Sequence, residues 1–588
     1  VHIKKDSLIC LGSDPVSTIS IITGIIIFLL GITIFLIEPV LLKKGILQLA
    51  RLYSVDGKIE EDTISYLNTM LMKIAPLIML SSLIIFLYGF TWQYFSVRLN
   101  HIKALEPQSL YNCPILPFEV YYLISILILA TVLRLHNINR GLEYDELVTA
   151  FNFVDTEYFW KTVSNTASYN HVANSILARV SQGLFGHHEW SLRLPAFILG
   201  LAGIYAMWIF TRHIFGKISA IIATFFLTIS PIHVNYSATT RGYSGMILFS
   251  ILSSHYFFKL LHHHSHRAAF IYILVNVCGL YFHLYFVFIV FVQIVWLLYG
   301  TYKQTTVKPS EIIIDKRTFQ TLWVSFAIVT LTSILIYFLE LPLILYHMFL
   351  GGQGKAQPLF ILMVVDYLSG TRSFFPEVLT YVLIISGITY SFRSRPQQLS
   401  YFIALILFPV LLLSLLLCPK IITSRYFVFY LPYYILLLTA GFLYLWNIQQ
   451  KFAQTEFFKK PYILMVMILF IVLTWHWLAI SWTLPRDEGI RSAVKSMEQS
   501  NLETTSLCAI GNGYELYQYY TNKEIQIPNS YESFNELKRQ KNEILCICNT
   551  SLTILPKHKE IFEFLQNHAL SKRFGNCVVF HYRSDKML

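Results

Sequence analysis

Uninterrupted apolar runs about twenty residues long recur through this chain, and no other feature limits its fold so strongly. A bilayer core takes a helix of roughly that length, so each run reads as a membrane span. Two come first, near 17–42 and 74–96, with Glu60, Glu61 and Asp62 between them. A polar connector with Arg98, Lys103 and Pro107 follows and marks a boundary. From 118 onward roughly eleven more lie near 118–135, 191–212, 217–234, 243–261, 268–283, 284–301, 319–349, 376–392, 398–418, 426–447 and 461–484. The pair at 268–301 is interrupted only at Phe282-His283-Leu284. The expected fold is a mainly α polytopic membrane protein of about thirteen transmembrane helices.

Composition agrees. Charged residues make up 13% of the 588 and hydrophobic ones 55%, with a mean hydropathy of +0.55. A soluble domain carries about 25% charged residues. The net charge of +12 raises nucleic acid as a partner, but no basic stretch interleaved with aromatics supports it. The positive charge sits mostly in short loops between spans: Arg212/Lys217, His262 to Arg267, Lys303 to Arg317, Arg393/Arg395 and Lys451/Lys459/Lys460. These are alternate loops, so their side is expected to be cytoplasmic. Segments 136–190, 235–242, 350–375, 419–425 and everything after 485 fall on the other side. Loop 43–73, with Lys43, Lys44, Arg51 and Lys58, runs against this scheme. The first run, Ile21 to Leu42, is too long for the apolar part of a cleaved signal peptide.

Three regions follow. Residues 1–117 hold two extra spans and a connector. Residues 118–485 form the membrane core, with a large external loop at 136–190. Within that loop Val172, Ile176, Val180 and Leu184 have helical spacing, as in an amphipathic helix lying on the membrane surface. Residues 486–588 have ordinary charge density and read as a small soluble α/β domain. Helical patterns at Gly489 to Gln499, Tyr514 to Tyr520 and Lys559 to Asn567 alternate there with strands at Ser506 to Ile510, Glu543 to Cys548 and Cys577 to Tyr582. The eight cysteines have no metal-site spacing, and a disulfide among Cys508, Cys546, Cys548 and Cys577 stays open.

Chemistry-bearing residues gather on the non-cytoplasmic side. Glu143, Asp145 and Glu146 lie just beyond the span that closes at Leu135, flanked by Arg134, His136 and Arg140. Then come Asn170-His171, Arg193, Ser230-Pro231, Tyr236-Ser237, Arg241-Gly242-Tyr243, Lys420 and Ser424-Arg425-Tyr426. Taken singly, such charges often sit at span ends merely to stay in water, and Arg193 reads as an anchor of the surface helix to its span. Together, carboxylates able to act as general base and arginines able to clamp a phosphate suit a lipid-phosphate substrate with its tail in the bilayer.

The ordered series Glu143-Tyr144-Asp145-Glu146, Asn170-His171, Gly186-x-x-Glu189-Trp190-x-x-Arg193-Leu194-Pro195, Ser230-Pro231 and Tyr236-Ser237-x-x-x-Arg241-Gly242-Tyr243 resembles the GT-C superfamily of membrane glycosyltransferases. More narrowly it resembles glycosyltransferase family 39, the protein O-mannosyltransferase and aminoarabinose-transferase branch. The likeness covers about 118–450. It implies Asp145 as the catalytic base or acceptor-orienting group, with Glu146 beside it. It also implies Arg241 near the donor phosphate and Arg425 as a second phosphate contact. Tyr243, His171 and Lys420 complete the expected substrate-binding set. Many relatives read His-Pro-Pro or His-Pro-Leu where this chain has His171-Val172-Ala173.

The implied activity is transfer of a single sugar from a polyprenyl-phosphate donor to a protein, lipid or glycan acceptor, with inversion, outside the cytoplasmic leaflet of a cell membrane. Membrane lipid is the surrounding partner. Some branches of the superfamily use a divalent metal and others none, and no carboxylate pair here reads as a metal site. A lipid or sugar transporter is the alternative, but transporters set their charges near mid-bilayer. A scaffold with a partner-binding tail is a second alternative.

Overall fold

The computed structural model describes residues 115–588 apart from 157–158, 164–169, 263–264, 307–313, 338–359, 371–373, 395, 417–423, 453–455, 484–488, 500–504, 511–513, 522, 529, 541–542, 550–557 and 584–588. The two expected spans before residue 115 and Lys420 lie outside the described residues.

The apolar runs fold as helices. The first is α1 (Pro117–Ile138), followed by the short α2 (Tyr144–Thr149), the loop helix α3 (Val172–Phe185) and α4 (Glu189–Phe215). Then come α5 (Lys217–Ile229), the short α6 (Pro231–Tyr236), α7 (Tyr243–His262), α8 (His266–Phe282), α9 (Val287–Thr306), α10 (Lys316–Ile336) and α11 (Phe360–Ser369). The core closes with α12 (Phe374–Ser394), α13 (Pro396–Leu416), α14 (Leu431–Phe452) and α15 (Glu456–Thr483). Seven helices among the described residues are long and apolar enough to cross a membrane, and four shorter apolar helices lie among them. The run at 268–301 is two helices, broken where His283 caps a 3-10 turn at Leu284–Phe286.

Local chemistry sets the breaks. Gly216, at φ +89°, ends α4 and immediately precedes α5, a backbone state that costs glycine little. Ser230-Pro231 separates α5 from α6, with proline at the first helical position. Helix α4 is pinned near both ends by buried ion pairs: Arg193 Nη2 to Glu146 Oε2 at 2.6 Å, and Arg212 Nε to Glu119 Oε1 at 2.9 Å. Helices α12 and α14 approach closely through glycine, since a Cβ at Gly387 would collide with the Leu437 carbonyl and one at Gly441 with that of Leu383.

A helix, α3, forms where the periodicity suggested one. It buries Val172, Ala173, Asn174, Ser175, Ala178, Ser181 and Gln182 against the protein. Leu177, Val180, Leu184 and Phe185 point outward and are exposed. Of the apolar stripe expected here, Val180 and Leu184 are exposed while Val172 is buried.

The tail holds a four-stranded sheet ordered β1-β2-β4-β3, made of β1 (Thr505–Ile510), β2 (Glu543–Asn549), β3 (Leu570–Phe574) and β4 (Cys577–Arg583). β1 and β2 are parallel, and the other pairs are antiparallel. Helices cover both faces, so β1 and β2 read as continuous apolar runs. On one face Cys508, Ile510, Ile544, Cys546 and Cys548 meet Phe534 and Leu537 of α17 (Tyr531–Gln540) and Ile561 and Leu565 of α18 (Lys559–His568). A disulfide joins Cys508 to Cys546, register partners on β1 and β2. On the other face Leu507, Ala509, Leu545, Ile547, Cys577 and Val579 meet α16 (Ile490–Glu498). That core continues beyond the tail into Leu142, Leu147, Ala150 and Val154 of the large loop.

Two tail elements escape the sequence pattern. Helix α17 buries only Phe534 and Leu537, too few apolar positions to show a period. Strand β3 is exposed along most of its length and has no alternation. Its signal was the Gly575-Asn576 pair between Phe574 and Cys577, a two-residue hairpin connection.

Candidate active site

Helix α2 has only six residues, and its two adjacent acids face opposite ways. About 100° separates neighbours on a helix, so one can look out while the next looks in. Glu146 looks in and is 1% exposed. Its Oε1 accepts Arg193 Nε at 2.8 Å and the Thr240 amide at 2.8 Å, while its Oε2 accepts Arg193 Nη2 at 2.6 Å and the Glu143 amide at 3.1 Å. The Arg193 guanidinium, fully buried, also donates to the carbonyls of Ile138, Arg140 and Gly141. Burial alone would raise the Glu146 carboxyl, but Arg193 overrides it and holds the carboxyl down at about 2. Glu146 therefore ties α2 to α4 and to the turn at Thr240, and its oxygens are fully engaged.

Asp145 looks out, with its side chain 38% exposed. Its Oδ2 accepts Arg425 Nη1 at 2.7 Å and lies 3.8 Å from Arg241 Nη2. Arg241 is buried and is delivered by the Thr239–Gly242 turn whose Thr240 amide Glu146 holds. Gly242 is required there, because a Cβ would collide with the Phe282 carbonyl and His171. Arg425 comes from a 3-10 segment, Ser424–Tyr430, that leads into α14. One carboxylate against two guanidiniums leaves positive charge in excess, as an anion site needs.

Aromatic rings floor this cluster. His171 and Tyr243 lie 5.0 Å apart, His171 and His283 5.0 Å, Tyr243 and His283 5.3 Å, and Tyr236 and Tyr243 4.3 Å. Tyr285 and Tyr426 meet at 5.0 Å, and the Tyr236 and Tyr367 hydroxyls are hydrogen-bonded. Arg241 lies 6.0 Å from the Tyr243 ring and Arg425 5.7 Å from that of Tyr426. Burial, then the charge of Arg241, pushes His171 well below its ordinary value, so its imidazole is neutral. Its Nδ1 faces the Phe282 carbonyl at 3.2 Å, which assigns the proton there and leaves Nε2 as an acceptor with no partner among the described residues.

Asp145, Arg241, Arg425, Tyr243 and His171 thus come together, and Glu146 stands behind them in a buried ion pair. The sequence reading gave no role to the rings of Tyr285 and Tyr367: Tyr285 lies among other aromatic residues at a span's edge and Tyr367 in the expected external segment 350–375, and only the fold brings them here. Among the described residues no three His, Cys, Asp or Glu side chains gather as a metal set.

Comparison with known families covers part of this region, including Arg241 and Tyr243 but neither Asp145 nor Arg425. The family model described as dolichyl-phosphate-mannose-protein mannosyltransferase matches residues 173–314, from α3 through α9. The Bacillus subtilis (strain 168) protein named "Putative mannosyltransferase YkcB" is 30% identical over 82 residues, 14% of this chain and 12% of that one, so the chain matches about an eighth of that relative's length. The crystal structure of ArnT from Cupriavidus metallidurans in the apo state superposes with a TM-score of 0.53 at 11% identity, covering 80% of this chain and 98% of that one. At that identity the likeness is one of fold alone, shared with ArnT.

Proposed function

We propose that this chain is a membrane glycosyltransferase that moves one sugar from a polyprenyl-phosphate donor to a protein, lipid or glycan acceptor at the extracytoplasmic face. The observation that carries the reading is the half-exposed Asp145 carboxylate held beside Arg425 and Arg241 over an aromatic floor. The donor phosphate lies against the two guanidiniums. Asp145 accepts the proton of the acceptor hydroxyl or amine, which attacks the anomeric carbon as the bond to the phosphate oxygen breaks. Charge then develops on the departing polyprenyl phosphate, where fixed guanidiniums stabilise it most. Water is kept from the sugar by the rings around Tyr243.

The family description supports a lipid-phosphate donor, since it names dolichyl-phosphate mannose. The alternating basic loops support the extracytoplasmic side. So does the Cys508–Cys546 bond, because disulfides persist in oxidising compartments and the tail packs on the loop that bears Asp145. The test is purified protein in lipid nanodiscs with a panel of radiolabelled polyprenyl-phosphate sugars. At least one is expected to be consumed with release of polyprenyl phosphate. Movement of intact donor across vesicles, with none consumed, would favour a transporter instead.

A further inference from the structure

Asp145 sits in the first turn of a short helical run, six α-helical residues continued by a π-helical turn at Ala150–Val154, too short to hold its own direction unaided. Glu146 ties the helix from its inner side, and the strap 138–142 leading into it sets its entry, with the strap's backbone tied by side chains on every residue. Arg193 takes the carbonyls of Ile138, Arg140 and Gly141. The other two ties come from the tail: Arg491 Nη1 donates to the Asn139 carbonyl at 3.0 Å, and the Tyr520 hydroxyl accepts the Leu142 amide at 2.7 Å. Arg491 also pairs with Glu189 at the start of α4 at 2.9 Å, and Tyr519 accepts from Gln182 of α3 at 3.3 Å. Leu142 and Leu147 are fully buried in the core they share with Ile490, Val494, Tyr517 and Ile547.

We propose that the tail domain is a working part of the active site, fixing the strap 138–142 and through it the Asp145 carboxylate, with Tyr520 as the positioning residue. A buried backbone amide must find a partner, and for Leu142 the tail supplies it. Without the Tyr520 hydroxyl that amide turns toward water, the strap loosens, and the carboxylate three residues on loses its aim. Misplacement of about 1 Å is enough to slow a well-oriented reaction by about 10²-fold.

The kinetic part rests on the glycosyltransferase reading, so the test has one readout that does not. In the full chain, Tyr520→Phe keeps the ring and removes the hydroxyl. Amide hydrogen exchange across 142–147 is expected to rise by about 10-fold, because the local opening becomes easier. Turnover is expected to fall by about 10-fold or more with donor KM held within about 2-fold, since phosphate contacts are untouched. Phe534→Ala, on the far face of the sheet, serves as control: it lowers the tail's melting temperature but leaves 142–147 exchange and turnover at wild-type values below that transition. Unchanged exchange or unchanged turnover in Tyr520→Phe would overturn the proposal, as would an equal turnover loss in Phe534→Ala. If the wild type consumes no donor, the glycosyltransferase reading fails, and the exchange result still decides whether the tail fixes the strap.

Discussion

Glu146→Gln separates the two acids of α2. The change keeps the side chain's size and its ability to accept from the Thr240 amide, but removes the charge opposite Arg193. Both partners are buried, at 1% and 0% exposure, and their two contacts are 2.8 and 2.6 Å long. Removing one partner of such a pair leaves an uncompensated cation and costs about 3–5 kcal/mol. Three carbonyls still solvate the guanidinium, which places the expected loss toward the lower end, about 3 kcal/mol. The assay is thermal unfolding of purified protein together with transfer activity per folded molecule. Melting should drop clearly, and the activity of what remains folded should fall less than in Asp145→Asn, because Glu146 faces away from the substrate and acts only through the placement of α2 and the Thr240 turn. Arg193→Met added to Glu146→Gln should recover part of the stability, a coupling that a double-mutant cycle reads directly. Unchanged melting with abolished transfer would refute the reasoning and make Glu146 the reacting acid.

The same pair fixes a pH response. Its folded carboxyl titrates at about 2, below the ordinary 4.5, so its contribution to stability is complete above about 4.5 and is lost as pH falls toward 2; acid unfolding of wild type should steepen in that window, and Glu146→Gln should lack the step. Arg241→Ala and Arg425→Ala should each weaken donor use, in binding, rate or both, and donor titrations at fixed acceptor will read it. Single cysteines at 145 and 523 should label from outside intact cells while one at 310 should not, and reversed labelling at 145 would contradict the extracytoplasmic site.

Much of the fold was legible because membrane burial writes itself as length: α1, α4 and α7 to α10 begin within a few residues of where their apolar runs predicted. The tail was legible in its buried strands and not in β3, whose Ser571, Lys572 and Arg573 face solvent and carry no apolar alternation. At the site, residue type foretold that acids and arginines would converge, and the fold does set Asp145 against Arg425 and Arg241. Which acid faces outward was not legible, because two adjacent carboxylates look alike in a sequence and only helix rotation tells them apart. Nor was the tail's grip on the strap, since Tyr520 lies 378 residues from its partner Leu142 and no local pattern links them.

Transfer by Asp145→Asn tests the central claim most directly. The substitution is isosteric at a half-exposed position and removes one carboxylate from its pairs with Arg425 and Arg241, so melting should move by no more than about 1 kcal/mol equivalent. A general base lost there should lower turnover by about 10²–10⁴-fold, with polyprenyl-phosphate sugar still bound. Near-wild-type transfer by Asp145→Asn would contradict the account, and Asp145 would then be a solvated loop residue beside two arginines.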